Sequence, residues 1–241
     1  PEGHQDVTMV DHVKLIRNHP AIRFELRMHE QIMMPIRRLG GEIVWTDIYV
    51  THANYDHSPV GQKHKLERDL KLLHLDEAEN PDHTFVLFNL GMTYEAYDPD
   101  KAIGYLERSI KTAGDGESHL RKVFSYLTSA YARTNQLEKA LDATDRGLKV
   151  FPLDEELRYR RANLLVGLGR LEVAVQAYKQ LLEEREPRHI TSVMQGLSSH
   201  MARAQLANTY ASMGLLDEAM NHWVQVTKEA PWYRTGWRGR V

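Results

Sequence analysis

The 241-residue sequence predicts a mainly α-helical solenoid of about four stacked helical hairpins, preceded by a small α/β segment of about three short strands and a helix. Two observations predict the solenoid: one apolar pattern recurs between Phe85 and Pro231, and turn-forming residues separate its copies. Residues 1–63 instead alternate apolar and polar side chains, which is the period of a strand. We therefore expect two domains, residues 1–63 and residues 64–241.

The recurring pattern places small and large apolar residues at matched positions. Ala140 and Ala174 lie 34 residues apart, and similar residues surround both. This period resembles that of the tetratricopeptide repeat (TPR), a pair of helices that buries its apolar stripe only by stacking on neighbouring pairs. The predicted repeats span about residues 84–115, 121–153, 155–186 and 200–232.

Small residues are expected where paired helices cross, because longer side chains would hold the helices apart. These residues are Ala130, Ala140, Ala162, Ala174, Ala207 and Ala219. Turns are expected at residues 98–100, 134–136, 169–170 and 214–215, which tolerate non-helical dihedral angles.

The spacing between repeats fails once. Ala174 and Ala219 lie 45 residues apart, and the excess falls between Pro187 and Ser199. A loop is one reading, but apolar residues from Ile190 to Met201 recur at intervals of three and four, which favours a backward extension of the next helix. We interpret the insertion as a surface elongation rather than a binding element.

Composition excludes several classes of function. The net charge of −2 gives no electrostatic reason to expect nucleic acid or an acidic membrane as a partner. The sequence contains no apolar run that would span a membrane and no export signal, which predicts a cytoplasmic protein. Cysteine is absent, which excludes disulfides and a cysteine nucleophile. Because the first residue is Pro, we expect this to be a piece of a longer chain.

Before the repeats, the alternation predicts a hairpin of strands at residues 13–17 and 22–28, with a turn at Asn18–Pro20. A short helix is predicted from Glu30 to Leu39, and a third strand from Glu42 to Val50. These elements are too few for an independent core, so they are expected to be the end of a larger α/β domain.

The order of four motifs carries a resemblance over nearly the whole chain. These are Val13–Asn18, Phe24–Ile32 with its His-Glu pair, Ile48–Tyr55 with a His-x-Asn-Tyr end, and Lys65–Leu70 with Lys-x-x-Arg-Asp. They resemble the C-terminal end of bacterial family 2 glycosyltransferases that carry TPRs, although that family usually has Gly in place of Asn54. The resemblance implies that a full-length parent transfers sugar from a nucleotide-sugar donor. The family's Asp-x-Asp metal motif does not occur in residues 1–60.

The resemblance also implies roles for three residues. Glu30 would deprotonate an acceptor hydroxyl, His29 would orient it or bind phosphate, and His52 would be a late ligand of a divalent cation, Mg²⁺ or Mn²⁺. Alternatively, both histidines cap strand ends and Glu30 caps the helix that follows. We expect no cofactor in this fragment and no activity from it alone, because the donor and metal ligands would lie upstream.

The first helix of each hairpin is expected to line a concave groove that binds a protein or peptide. The candidate groove residues are Phe88, Met92, Glu95, Lys122, Ser129, Tyr159, Asn163, Met201 and Asn208. Asn163 and Asn208 could hold a peptide backbone, but Tyr159 and Ala204 stand where a carboxylate clamp would need Lys. The sequence therefore predicts no tight capture of acidic C-terminal peptides, and it leaves self-association open.

Two functions remain. Either the parent chain is a glycosyltransferase whose repeats recruit the acceptor or a partner, or the chain is a non-enzymatic TPR scaffold. The aromatic and basic residues near the end, Trp232, Tyr233 and Trp237 beside Arg234, Arg238 and Arg240, are read as covering the end of the solenoid rather than as stacking on sugar.

Overall fold

The computed structural model describes residues 8–9, 13, 15–28, 31–42, 44, 46, 48, 58–114, 117, 119–184 and 193–240. Over these residues the chain is a mainly α-helical solenoid, as predicted. Its helices are α1 Met33–Arg38, α2 Pro59–Glu79, α3 Thr84–Tyr94, α4 Pro99–Thr112, α5 Leu120–Arg133, α6 Leu137–Val150, α7 Glu155–Gly167, α8 Leu171–Glu183, α9 Ala202–Ser212, α10 Leu216–Glu229 and α11 Arg234–Arg238. Two two-residue strands, β1 Thr8–Met9 and β2 Val193–Met194, pair antiparallel.

Four helical hairpins, α3–α4, α5–α6, α7–α8 and α9–α10, follow one another along the solenoid, and each packs on the next. The first helices α3, α5, α7 and α9 also contact one another in succession. Such contacts place the first helices on the inner, concave side of the curve. The boundary expected between residues 63 and 64 stays a prediction.

The small residues lie where the sequence predicts them. Ala130, Ala140, Ala162, Ala174 and Ala207 have no exposed surface, and Ala219 is buried as well. Large apolar residues fill the spaces between them, and the leucines without exposed surface are Leu87, Leu90, Leu106, Leu127, Leu157, Leu181 and Leu206. Close backbone approach at the alanines and burial of the leucines together hold each hairpin on its neighbours.

Three hairpins are closed by the same turn. Asn135, Gly169 and Gly214 adopt positive φ angles of 58°, 72° and 78°, which terminate the first helix in the left-handed conformation. In each turn the next backbone N–H donates to the carbonyl five residues earlier: Gln136 to Tyr131, Arg170 to Leu165, and Leu215 to Tyr210, at 2.9, 2.8 and 3.0 Å. The predicted turns at these three places are confirmed.

The strands predicted before the repeats are wrong over the described residues. Residues 15–19 and 22–24 have no regular structure, and Glu25 forms only an isolated bridge with Gln31. The third predicted strand is described only at residues 42, 44, 46 and 48, which form none. Of the predicted α/β segment, the helix is present as α1. The alternation does not indicate strands here, because Leu15 and Phe24, two of its apolar positions, are exposed.

Contacts with α2 fix this segment instead. The Arg27 guanidinium donates to Asp76 at 2.6 Å and to Glu79 at 2.5 Å, and the Arg27 backbone N–H donates to Asp76 at 3.0 Å. Leu26 and Met28, on either side, pack against the apolar cluster around Leu73, Val86 and Leu90. The segment therefore covers the first end of the solenoid.

The backward extension of α9 is also wrong. Val193–Met194 is the strand β2, and Gly196, with φ of +94°, interrupts any helix that would continue from it. Only Leu197–Met201 forms a distorted π-type turn before α9, and Ser198 and Ser199 have non-helical dihedral angles inside it. The apolar spacing correctly indicates one helical turn before α9, but Gly196 prevents the helix from beginning any earlier. Pro187–Ile190 lie outside the described residues.

Candidate functional site

One row of groove residues consists of equivalent positions in successive repeats. Glu95, Ser129 and Asn163 lie 34 residues apart, Glu95 directly after α3 and the other two on α5 and α7. The Ser129 hydroxyl donates to the Glu95 carboxylate at 2.5 Å, and the Asn163 carbonyl accepts from the Tyr178 hydroxyl at 2.5 Å. Of the predicted residues, Glu95 and Ser129 thus contact each other, whereas Asn163 bonds to α8 of its own hairpin, and part of their hydrogen-bonding capacity is used within the solenoid.

A second set of polar contacts joins α5 to α7 around Glu156. Lys122, again 34 residues away, and Ser125 both donate to this carboxylate, and Arg160 donates to it at 2.9 Å. Burial raises the pKa of Glu156, but the positive charges of Lys122 and Arg160 and the hydrogen bonds from Lys122 and Ser125 outweigh burial and lower the pKa to about 2. Glu156 is thus held ionised between two cations.

An open pocket of about 390 Å³ lies between α5 and α7 on the concave side. Its lining residues are Thr128, Ser129, Ala132, Arg133, Leu137, Arg160, Asn163, Leu164 and Gly167. Two of the predicted groove residues, Ser129 and Asn163, line it. The floor is partly apolar, through Ala132, Leu137 and Leu164.

Sequence reasoning missed Arg133 and Arg160. Arg133 donates to the Ala96 carbonyl at 2.8 Å, and its Nε lies 3.8 Å from Glu95. Arg160 follows Tyr159 directly, and its spacing of four residues from Glu156 was the available signal for their ion pair. The groove therefore has two cations near Asn163, each next to a carboxylate, and the prediction about acidic C-terminal peptides stays a prediction.

The other candidate groove residues are dispersed. Phe88 is buried and its ring contacts Phe85 and Tyr126, so it belongs to the core, and Met92 packs partly buried on the same cluster. Met201 ends the π-type turn before α9. Asn208 is exposed on α9 and donates to Gln205 at 3.4 Å.

Tyr159 also lies near the pocket's α7 wall. Its ring makes an edge contact with Tyr178 at 6.4 Å, and burial raises the pKa of its hydroxyl, partly offset by hydrogen bonds from Asn163 and Gln205. The phenol therefore stays neutral at physiological pH and links α7 to α9.

The candidate catalytic residues His29 and Glu30 and the candidate metal ligand His52 lie outside the described residues. Within the described part of the chain, His, Asp and Glu side chains form no group of three that could hold a metal ion. No described helix is both long and apolar enough to cross a membrane.

Comparison with known families agrees with the repeat period. Residues 155–187, which begin with α7 and continue through α8, match the family model described as tetratricopeptide repeat. A comparison with curated protein sequences found no match.

Solved structures share the fold. A crystal structure of MamA is 18% identical, with a TM-score of 0.58, and the alignment covers 70% of this chain and 91% of that one. YrrB, described as "a TPR protein with an unusual peptide-binding site", is 16% identical, with a TM-score of 0.57, over 75% of this chain and 86% of that one. A MamA structure designated AMB-1 is 21% identical, with a TM-score of 0.54, over 69% and 90%. Together with the geometry, these likenesses define the chain's fold as a TPR-type α-solenoid.

Proposed function

We propose that the chain is a TPR-type interaction module that binds an extended peptide segment along its concave side, with an acidic side chain of that peptide in the pocket between α5 and α7. The fold is shared with proteins that include YrrB, whose description names a peptide-binding site. This function is the non-enzymatic alternative of the sequence argument.

The charge of the pocket carries the proposal. Of the nine described residues that line it, two are arginines and none is acidic. Each guanidinium has five N–H donors. Among the described contacts, Arg133 uses one in a hydrogen bond and its Nε lies 3.8 Å from Glu95, and Arg160 uses two on Glu156. The remaining donors suit a carboxylate, while Leu137 and Leu164 can contact the methylene groups that precede it.

Fluorescence anisotropy with two labelled peptides tests this. One is an alanine- and glycine-based peptide with a central Glu, and the other carries Gln at that position. We expect the Glu peptide to bind at least several-fold more tightly, and its affinity to fall as salt rises. Arg133→Gln should weaken it about tenfold, a loss of about 1.4 kcal/mol.

Arg170→Gln is the matched control. Arg170 lies in the α7–α8 turn outside the pocket, is about as exposed as Arg133, and pairs with Glu138. Equal affinity for the Glu and Gln peptides would refute the acidic ligand. An equal loss of affinity for the Glu peptide in the two arginine variants would show only a non-specific charge effect.

Sugar transfer by a longer parent remains a second proposal, and it rests on the sequence resemblance of residues 13–70 alone. In that parent, Glu30 would be the base, with His29 beside it and His52 holding a divalent cation near a nucleotide sugar. Glu30→Gln should then abolish transfer without unfolding the protein, while His52→Ala should weaken metal-dependent donor binding. Full transfer activity in Glu30→Gln would leave the residue a helix cap.

A further inference from the structure

A second row of equivalent positions crosses the concave side beside the row that contains Ser129. Met92, Tyr126 and Arg160 lie 34 residues apart, on α3, α5 and α7. All three side chains are half-buried, so each keeps some accessible surface. Along this row the chemistry changes from a thioether to a phenol and then to the guanidinium that lines the pocket between α5 and α7.

The surface between α3 and α5 is apolar where this row crosses it. Met92 and Tyr126 both pack on the buried cluster that contains Phe88. The centroids of the Tyr126 and Phe88 rings are 6.1 Å apart, and Phe88 is only 7% exposed. An apolar side chain placed against Met92 and Tyr126 would therefore rest on a floor that is already formed.

The Tyr126 hydroxyl has no hydrogen-bond partner among the residues that the structure describes. Burial raises the pKa of this hydroxyl most, the Glu156 carboxylate raises it further, and the Arg160 guanidinium opposes them. The phenol therefore stays neutral and keeps its proton at physiological pH. A neutral hydroxyl beside the pocket is a donor suited to a backbone carbonyl of a bound peptide.

The spacing of the first helices matches the repeat of one peptide conformation. Packed helices lie about 8–10 Å apart, and α5 contacts both α3 and α7. A polyproline II segment has about three residues per turn and rises about 3.1 Å per residue, so the side chains of residues i and i+3 point the same way about 9 Å apart. Its backbone carbonyls form no internal hydrogen bonds and are free to accept from a protein side chain. A β-strand would instead point these two side chains to opposite sides.

We propose that the bound peptide carries an apolar residue three positions from its acidic residue, and that Met92 and Tyr126 bind this apolar residue between α3 and α5. This inference rests on the proposed function, because the acidic residue occupies the pocket between α5 and α7. The apolar side chain packs against Met92 and the Tyr126 ring, while the Tyr126 hydroxyl donates to a backbone carbonyl between the two side chains. The ligand is thus a polyproline II segment with an apolar and an acidic residue one turn apart.

Fluorescence anisotropy with variants of the central-Glu peptide tests the spacing. Leu replaces the residue three positions before the Glu in one peptide and three positions after it in a second, which covers both directions of binding. In two control peptides Leu lies two positions from the Glu. We expect one of the first two peptides to bind about fivefold more tightly than the parent peptide, because a Leu side chain is partly buried. The control peptides should show no gain, and neither should a peptide with Lys in place of the favoured Leu.

Two protein variants locate the binding of the Leu side chain. Met92→Gln should remove the gain from Leu and leave the preference for Glu over Gln unchanged. Tyr126→Phe should weaken binding of every peptide by about three- to tenfold, because it removes one hydrogen bond. Met213→Gln is the matched control, since Met213 is another half-buried methionine on an apolar cluster, directly after α9 and away from α3 and α5. Circular dichroism should be unchanged in all three variants.

The peptide series separates this inference from the proposed function, and it needs only the wild-type chain. A preference for Glu over Gln without any gain from Leu overturns the second subsite alone. Equal affinity for the Glu and Gln peptides refutes the acidic ligand and this inference with it. A gain from Leu at all positions, a larger gain from Lys, or a gain that Met92→Gln and Met213→Gln reduce equally also overturns the inference.

Discussion

Glu156→Gln is expected to destabilise the solenoid in a way that depends on pH. Glu156 lies in the first turn of α7 and joins it to α5 through Lys122 and Ser125, while Arg160 contacts the same carboxylate. Gln keeps the size of the side chain and one acceptor oxygen but removes the charge. Lys122 and Arg160, both mostly buried, then lose their counter-charge.

The magnitude follows from the lowered pKa. A change from the ordinary 4.5 to about 2 corresponds to about 3 kcal/mol at neutral pH, since one pKa unit is about 1.4 kcal/mol. Because the folded-state pKa of Glu156 is lowered, this stability is fully present above pH 4.5 and is lost as pH falls towards 2. The variant should therefore be about 2–3 kcal/mol less stable at pH 7, and the difference should shrink between pH 4.5 and 2.

Urea unfolding followed by circular dichroism at pH 7, 5 and 3 measures this difference. Glu138→Gln is the control, because Glu138 pairs with Arg170 at 2.7 Å at an exposed site. Removing that pair should cost less than about 1 kcal/mol. A Glu156→Gln variant as stable as the wild type at pH 7 would refute the reasoning, and so would a stability difference that stays the same from pH 5 to pH 3.

Two further predictions concern packing. Leu165→Ala should lower the free energy of unfolding by about 2–5 kcal/mol, because the Leu165 side chain is buried in the largest cluster. Tyr131→Ala should lower it by less, because Tyr131 is only half-buried. Equal unfolding midpoints for Leu165→Ala and the wild type would show that the repeat register is wrong. Gly147→Ala should destabilise the fold, because the new methyl group would lie 2.8 Å from Phe124 and Leu157. Gly104→Ala on α4 should stabilise it by about 0.5–1 kcal/mol, because a methyl group there meets nothing within 4 Å. Stability changes of the same sign in both variants would contradict this.

The repeats could be predicted because their information is local and recurs. A small residue at Ala140 and again at Ala174 has the same physical cause, a close helix crossing, and the recurrence at 34 residues supplies the register. The positive-φ turns at Asn135, Gly169 and Gly214 were readable for the same reason. Burial of the alanines confirms that part of the argument.

The N-terminal strands could not be judged from alternation alone. A strand needs a partner, whereas the backbone at Arg27 is fixed by Asp76, which is 49 residues away in sequence. Leu26 has φ of +70°, a conformation that no strand adopts and that no local pattern signals. The apolar spacing around Gly196 favours a longer α9, but a glycine readily adopts the positive φ that interrupts the helix there.

The groove residues stay a prediction; Ser129 and Asn163 among them line the pocket between α5 and α7, and the charges around that pocket link stability to binding. Helical spacing identified Ser129 and Asn163, but Arg133 and Arg160 reach the pocket with long side chains from neighbouring positions. Glu156 binds Arg160 and so competes with any acidic ligand for it. Glu156→Gln should therefore strengthen binding of the Glu peptide while it weakens the fold. Measuring anisotropy and urea unfolding on this one variant tests the link: a fold weakened as predicted together with unchanged or weaker peptide affinity would show that Arg160 does not contact the ligand.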